Sequence, residues 1–269
     1  MSIPFAMIGL FNFIYSRIDV PLLYKMRPGA EVGYYTAVTK LIEILNALVM
    51  MIMGPVYPRL AFIMSTQEKE KAPRVISLTV KYMIFAVAPF VMMVSVSSVG
   101  YVDMILGHEF AASAPALSIM IWTIFLMAIY VIPTFALNSA RLTKLVMYLY
   151  GINIFINLGL NIAFIPAYGY IATSFISVLC NTIVAVGVLY FVKIKIGSFS
   201  FVGNLLKICG AFIAQFFFMK YFEKTIPFIP LNILSLVVFY AVILGLKYFN
   251  VEDVMIVKNI LKKSDTKAE

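Results

Sequence analysis

Eight continuous apolar runs, each roughly 20 residues long, are the feature that most limits the folds open to this chain. They cover about residues 2–24, 37–60, 77–99, 115–137, 143–165, 169–192, 204–222 and 228–249. A helix of about 20 apolar residues crosses the hydrocarbon core of a bilayer, whereas the strands of a membrane barrel alternate polar and apolar residues. The runs therefore predict an all-α polytopic membrane protein with about eight transmembrane helices.

Composition and charge support this prediction. Only 12% of the 269 residues are charged and 63% are hydrophobic, whereas a soluble domain has about 25% charged residues. The net charge of +9 lies mostly in the breaks between the apolar runs, so it indicates membrane topology and no nucleic-acid partner.

The distribution of Lys and Arg predicts the orientation in the membrane. Every second connection between the apolar runs, counted together with the C-terminal tail, belongs to one set, which carries 13 basic residues. The remaining connections carry four. The basic set is Arg59, Lys69, Lys71, Arg74, Arg141, Lys144, Lys193, Lys195, Lys247, Lys258, Lys262, Lys263 and Lys267. Because basic loops stay in the cytoplasm, both termini are predicted on the cytoplasmic side of the cell membrane. The loop at 101–110 and a tight turn, IPAYG at 165–169, then face outward.

Motifs for enzyme chemistry are missing from the sequence. It contains no G-x-x-x-x-G-K-[ST] phosphate loop, no G-x-S-x-G elbow and no H-E-x-x-H. Cys180 and Cys209 both fall in apolar runs, and His108 is the one histidine, so neither a metal site nor a catalytic site nor a cofactor is expected. The prediction is a protein that is not an enzyme, and any energised transport would draw on an ion gradient or on substrate flux.

Four ionisable residues stand inside the first two apolar runs: Arg17, Asp19, Lys40 and Glu43. Charges at bilayer depth are costly and often mark a substrate or ion pathway. Lys40 and Glu43 are three residues apart and can pair on one helical face. Arg17 and Asp19 are two apart, so each needs a partner elsewhere. Two interpretations of Asp19 remain open: a structural ion pair with a basic residue of the next helix, or a cavity group that contacts substrate or ion.

A polar stripe follows in the fifth run. Asn153, Asn157 and Asn161 recur every four residues and therefore lie along one side of a helix. Such a stripe either holds neighbouring helices together by hydrogen bonds or lines a hydrated cavity that faces sugar hydroxyls. We include the three asparagines among the candidate pathway residues.

Several short motifs occur in an order that resembles a known family. They are the R-x-D pair at 17–19, EVGYYTAxxKL at 31–41, the Pro55 to Pro58 helix end, ILGHEFAASAPALSIM at 105–120, NSAR at 138–141 and the Asn-rich helix with IPxYG at 153–169. Together they resemble the polysaccharide flippases of O-antigen (Wzx) type, in the superfamily that also holds MATE multidrug exporters and peptidoglycan lipid flippases. Members have two six-helix lobes and two extra helices. The resemblance implies that residues 1–192 form a MATE-like C-terminal lobe, 193–249 two additional helices and 250–269 a cytoplasmic tail, and that an N-terminal lobe or a second copy is missing.

The resemblance implies transport of a polyprenyl-diphosphate-linked oligosaccharide across the membrane by alternating access. Arg17 and Lys40 would meet the diphosphate, with Asp19 and Glu43 as their resting partners or as cation sites. Three alternatives stay open: a MATE-like ion-coupled exporter of small molecules, a membrane-embedded transferase, and a non-transporting remnant or assembly partner.

Overall fold

The computed structural model describes residues 2–51, 53–65, 69–197 and 202–249, and these form helices with no strand among them. The all-α fold class is therefore confirmed for this part of the chain. The predicted tail at 250–269 lies outside the described residues.

The chain divides into two compact units, Met1–Phe199 and Ser200–Glu269. The helices of the first are α1 (Ser2–Arg17), α2 (Asp19–Met26), α3 (Gly29–Met51), α4 (Met53–Ser65), α5 (Ala72–Val96), α6 (Ser98–Leu106), α7 (Ala114–Met120), α8 (Trp122–Ser139) and α9 (Thr143–Lys195). Short 3₁₀ turns occupy Lys69–Lys71 and His108–Ser113, and the second unit contains α10 (Val202–Phe222) and α11 (Phe228–Gly245). The interpretation of these units as a transporter lobe and two additional helices stays a prediction.

Six helical segments of the described residues are long and apolar enough to cross a membrane, and α3 with the bent continuation Val56–Met64 would make a seventh. One of the six is α9, whose 53 residues exceed the roughly 20 that a span requires. Non-helical backbone at Gly169 divides α9 into two arms, residues 143–168 and 170–195. Counting each arm as one span gives eight, in agreement with the eight apolar runs.

The two arms of α9 fold back on each other as a helical hairpin. The Leu149 side chain of the first arm lies next to Gly187 of the second, and Ile156 and Leu160 pack against Ala172, Ile176 and Cys180. The predicted IPAYG turn is therefore confirmed. Gly169 makes the turn possible because its φ of 59° and ψ of −144° lie in a region that side chains with a Cβ disfavour.

The hairpin turn is held by the start of α3 and the residues before it. Tyr170 N donates a hydrogen bond to Glu31 Oε2 at 3.2 Å, and Arg27 pairs with Glu31 at 3.0 Å. Arg27 also donates from Nη1 to the Pro166 carbonyl at 3.4 Å. The EVGYY segment and the IPAYG turn, far apart in sequence, thus form one polar contact, which we call the turn clasp (Arg27, Glu31, Pro166 and Tyr170).

The first apolar run consists of two helical segments. Helix α1 ends at Arg17 and α2 begins at Asp19, with Ile18 between them. The helical hydrogen bonds continue through this point, from Ile18 N to Ile14 O and from Leu22 N to Ile18 O, so α1 and α2 form one span. Both α1 and α2 pack against α9, which brings the Asp19 carboxylate to the hairpin.

The second unit is a pair of helices with a small polar contact at its centre. Gln215 Nε2 of α10 lies 3.3 Å from Ser235 Oγ of α11, and Ser235 in turn donates to the Asn232 carbonyl at 2.7 Å. The rings of Phe212 and Phe239 stack beside it at a centroid distance of 5.9 Å. Such interhelical hydrogen bonds stabilise helix pairs in lipid.

Candidate functional site

Asp19 is a buried carboxylate held by uncharged donors. Its side chain is only 8% exposed. Tyr35 donates from its hydroxyl to Asp19 Oδ2 at 2.9 Å, and Asn161 donates from Nδ2 to Oδ1 at 3.1 Å. None of the ion pairs among the described residues includes Asp19. Of the two interpretations left open for Asp19, the ion pair with a basic residue of the next helix is not formed among the described residues, because the helices that reach Asp19 present a phenol and an amide.

The Asn stripe of the first α9 arm faces a second polar stripe on the other arm. Asn153, Asn157 and Asn161 are all buried, and so are Thr173 and Ser177. The second stripe, Thr173, Ser177 and Asn181, has the same spacing of four residues. Asn161 lies eight residues before Gly169 and Ser177 eight residues after it, so the hairpin places both at the same distance from the turn. The Tyr35 hydroxyl contacts Ser177 Oγ at 3.5 Å and Asp19, which in turn binds Asn161, so Tyr35 and Asp19 connect the two stripes.

Four buried polar atoms of the two α9 stripes have no hydrogen-bond partner among the described residues. They are Asn153 Oδ1, Asn157 Nδ2, Asn161 Oδ1 and Thr173 Oγ1. A buried polar atom without a partner costs about 1 to 3 kcal/mol, and functional sites are a common reason for tolerating that cost. The Asp19 carboxylate and the neighbouring Asn161 Oδ1 offer oxygen ligands of the kind that hard cations prefer. We call Asp19 and the residues that hydrogen bonds connect to it, Tyr35, Asn157, Asn161 and Ser177, the Asp19 cluster.

A polar pocket of about 430 Å³ opens beside the cluster. Two carboxylates, Asp19 and Glu43, contribute to its wall, and no Lys or Arg stands among the described residues that line it. Its other polar lining comprises Tyr15, Tyr35, Tyr130, Tyr150, Asn12, Asn46, Asn153, Asn181, Ser16, Ser177, Thr39 and Thr123. Glu43 is paired with Arg17 and Lys40, so Asp19 is the lining carboxylate without a cationic partner among the described residues, and its tyrosine-rich surroundings suit a cation or an uncharged polar group.

The basic candidates lie at the rim of the pocket. Arg17 Nη2 is 3.6 Å from Glu43 Oε1, and Lys40 Nζ is 3.2 Å from Glu43 Oε2. The predicted Lys40–Glu43 pair is confirmed, as is the expectation that Arg17 and Asp19 have separate partners. Glu43 serves as resting partner for both basic residues, and for Asp19 the other alternative, a cation site, stays a prediction. We call Arg17, Lys40 and Glu43 the basic rim, since it carries one net positive charge at neutral pH.

The Asn stripe makes hydrogen bonds between helices, as one of its two interpretations expected, and one of its members lines the pocket. Asn161 binds Asp19 of α2 and, within its own helix, Asn157 Oδ1 at 3.1 Å, which holds helices together. Asn153 instead lines the polar pocket. Whether any of the seven candidate residues contacts substrate or ion stays a prediction.

Sequence analysis missed Thr173 and Ser177 of the second stripe and two of the four pocket tyrosines, Tyr15 and Tyr130. Asn181 Nδ2 donates to the Tyr15 hydroxyl at 3.1 Å, and Tyr130 donates to Asn181 Oδ1 at 2.9 Å. The spacing of Thr173, Ser177 and Asn181 was the available signal, because it repeats the spacing of the Asn stripe. Isolated hydroxyl residues are common in membrane helices, and so this signal is weak without its partner.

A solved membrane-protein structure has a fold similar to that of this chain. The chain is similar to the lipid II flippase MurJ in its inward closed conformation, with a TM-score of 0.77 and 16% sequence identity. The similarity covers 90% of this chain and 52% of MurJ, so the chain spans about half of that structure's length. No protein-family model matches the chain, and no curated protein matches its sequence. A fold shared with the peptidoglycan lipid flippases is thereby confirmed, while the Wzx type and the C-terminal position stay predictions.

Proposed function

We propose that the chain is one half, the C-terminal one, of a flippase that moves a polyprenyl-diphosphate-linked oligosaccharide from the cytoplasmic to the outer leaflet. The observation that carries this proposal is the fold shared with a lipid II flippase over 90% of the chain. A first lobe or a second copy completes the pathway, both termini are cytoplasmic, and alternating access moves the substrate. The protein is a transporter and performs no covalent chemistry on its cargo.

The charge pattern divides the tasks of this flippase. The diphosphate is anionic and the polar pocket contains no Lys or Arg in its described lining, so the phosphates bind the basic rim, where Arg17 and Lys40 are more than half exposed. Charge-assisted hydrogen bonds to phosphate are about twice as strong as neutral ones. The tyrosines and amides of the pocket then bind uncharged sugar hydroxyls. In this assignment Arg17 and Lys40 bind the diphosphate, and Asn153 binds a sugar hydroxyl.

The Asp19 cluster serves as the coupling site for a cation. A buried carboxylate without a positive partner costs several kcal/mol, roughly, in desolvation, and a bound proton or small monovalent cation removes that cost. Asn161, which is bonded to Asp19, supplies in its Oδ1 an oxygen that has no hydrogen-bond partner among the described residues. The cluster joins α2, α3 and both arms of α9, so occupancy by a cation changes the contacts among four helical segments.

The test is translocation in vesicles of a fluorescent polyprenyl-diphosphate disaccharide. One sample contains the chain together with the protein encoded directly upstream of it, as the source of a first lobe. A second sample contains the chain alone. We expect translocation that a proton or Na⁺ gradient accelerates and that needs no ATP. Asp19→Asn should abolish the acceleration, because the amide binds no cation by charge. Glu223→Gln is the matched control, because this exposed acid pairs with Lys220 in the second unit. Translocation that stops without ATP and ignores every gradient would refute the proposal.

A second function, ion-coupled export of small organic cations of the MATE kind, is favoured by one observation. The polar pocket contains two acids and four tyrosines, and aromatic faces bind cations. The same vesicles decide between the two functions. Uptake of a fluorescent organic cation that lipid-linked saccharide does not inhibit would favour the exporter. Translocation of the saccharide that organic cations do not inhibit would favour the flippase.

A further inference from the structure

Most hydroxyl groups that line the polar pocket donate their protons to other groups of the protein. Eight of the described lining residues carry a hydroxyl: Tyr15, Ser16, Tyr35, Thr39, Thr123, Tyr130, Tyr150 and Ser177. The serines and threonines, which are Ser16, Thr39, Thr123 and Ser177, each donate to a backbone carbonyl three or four residues earlier in the chain, at 2.7 to 2.9 Å. A hydroxyl has one proton and two lone pairs, so these four oxygens can only accept a hydrogen bond from a ligand.

Asn181 determines the direction of two tyrosine hydroxyls. Its Nδ2 donates to the Ser177 carbonyl at 2.8 Å, and because a carbonyl can only accept, this contact fixes which end of the amide is the nitrogen. The other end, Oδ1, receives the Tyr130 proton at 2.9 Å, and Nδ2 also donates to the Tyr15 oxygen at 3.1 Å. Tyr130 therefore has lone pairs alone for a ligand, whereas Tyr15 has its proton in a long contact of 3.4 Å to the Ser177 carbonyl.

Two further lining residues present acceptor oxygens to the pocket. Tyr35 donates its proton to the Asp19 carboxylate at 2.9 Å, so its oxygen is also left to accept. Asn153 Oδ1 is buried and has no hydrogen-bond partner among the described residues. The described lining side chains that still have a donor for a ligand are Tyr150 and the amides of Asn12, Asn46 and Asn153. The described wall thus presents more acceptors than donors.

We propose that the polar pocket selects sugars by the protons they donate, with Asn181 as the positioning residue that sets this selectivity. The inference rests on the proposed function and adds the class of saccharide. Neutral and amino sugars present hydroxyl or ammonium donors, which match the acceptor oxygens of the wall. A uronic acid presents a carboxylate, which has no proton to donate and would meet Asp19, a carboxylate without a cationic partner among the described residues. The pocket therefore admits neutral and amino sugars and excludes acidic ones.

The experiment measures how soluble methyl glycosides protect a cysteine in the pocket from a maleimide. Asn12, an exposed lining residue, is replaced by Cys in a chain whose Cys180 and Cys209 are replaced by Ala. The 269-residue chain is reconstituted in phosphatidylcholine nanodiscs. The probes are methyl glucoside, methyl glucosaminide, methyl glucuronide and the 2,3-di-O-methyl ether of methyl glucoside, which accepts hydrogen bonds at both ether oxygens and donates none there.

We expect the glucoside and the glucosaminide to protect at concentrations about tenfold lower than the ether and the glucuronide, the change that corresponds to one or two lost hydrogen bonds. Asn181→Leu frees the Tyr130 proton to donate to an ether oxygen, so the preference for glucoside over ether should shrink about three- to tenfold. Tyr130→Phe removes the acceptor itself and should weaken protection by the glucoside while leaving that by the ether unchanged. Asn232→Leu is the matched control, because buried Asn232 likewise donates to the carbonyl four residues earlier, at 2.7 Å, in the second unit.

Three results would overturn this inference. They are equal protection by all four probes, a preference unchanged by both Asn181→Leu and Tyr130→Phe, and exclusion of the glucuronide without exclusion of the ether, which would indicate repulsion by Asp19 alone. The outcome is separable from that of the proposed function. Translocation of the lipid-linked saccharide without selective protection would leave the flippase standing and refute the selectivity. Selective protection without any translocation would support the selectivity of the pocket and refute the flippase.

Discussion

Replacing Gly169 by Ala tests the hairpin that brings the polar stripes together. Gly169 has φ 59° and ψ −144°, a region essentially restricted to glycine, and forcing a residue with a Cβ into it costs on the order of 1 to 3 kcal/mol. An added Cβ would also overlap the Glu31 carboxylate. Glu31 would have to move, and the turn clasp depends on its position.

The magnitude follows from the two contributions. Moving Glu31 removes the hydrogen bond from Tyr170 N, now 3.2 Å long, and hydrogen bonds to charged groups contribute about 1.5 to 3 kcal/mol. Added to the backbone strain, Gly169→Ala should lower the free energy of unfolding by about 2.5 to 6 kcal/mol. The loss is a large fraction of an ordinary stability of about 5 to 15 kcal/mol.

Denaturant titration in detergent micelles, followed by the fluorescence of Trp122, measures this loss. Gly159→Ala is the control, because Gly159 lies exposed in the first arm and a Cβ there would meet nothing within 4 Å. It should be neutral or gain up to about 1 kcal/mol. In a Glu31→Ala background the overlap with the carboxylate is absent, and the added Cβ meets only the flexible end of Arg27, at 2.9 Å. Gly169→Ala should then cost mainly the backbone strain, about 1 to 3 kcal/mol. Equal effects of Gly169→Ala and Gly159→Ala would refute the reasoning.

Three further predictions concern orientation, the Asp19 cluster and the second unit. In a background without the native cysteines, Asp103→Cys should react with an impermeant maleimide from outside and Lys144→Cys only after permeabilisation; the opposite pattern would reverse the predicted topology. Tyr35→Phe removes a donor to Asp19 and should lower the free energy of unfolding by about 1.5 to 3 kcal/mol in the same titration, and an unchanged midpoint would mean that this hydroxyl does not hold the carboxylate. Ser235→Ala should cost about 0.6 to 1.7 kcal/mol, the range measured for interhelical hydrogen bonds in lipid, and a loss beyond 3 kcal/mol, about twice that range, would show a larger structural role.

The features that could be predicted from the sequence are those formed by residues close to each other along the chain. The apolar runs, the IPAYG turn and the Lys40–Glu43 pair all follow from spacings within one helix or one turn. The partners of Asp19 did not, because Asn161 is 142 residues away in the chain and α2, α3 and α9 must first pack. Charge alone left an ion pair and a cavity group equally open for Asp19, and it did not show that Arg17 and Lys40 both pair with Glu43 of α3.

The position of the turn determines the geometry of the Asp19 cluster. Asn161 and Ser177 lie eight residues on either side of Gly169, about 12 Å from the turn at 1.5 Å per residue, and Asn157 and Asn181 lie twelve residues on either side. Moving the turn by one residue would rotate one stripe by about 100° relative to the other and would turn Asn161 away from Asp19. The turn clasp fixes that register, because Glu31 holds Tyr170 N in the first residue after the turn. Since Glu31 and Tyr35 share α3, the helix that anchors the turn also supplies the donor to Asp19, so the clasp and the cluster form one mechanically connected unit.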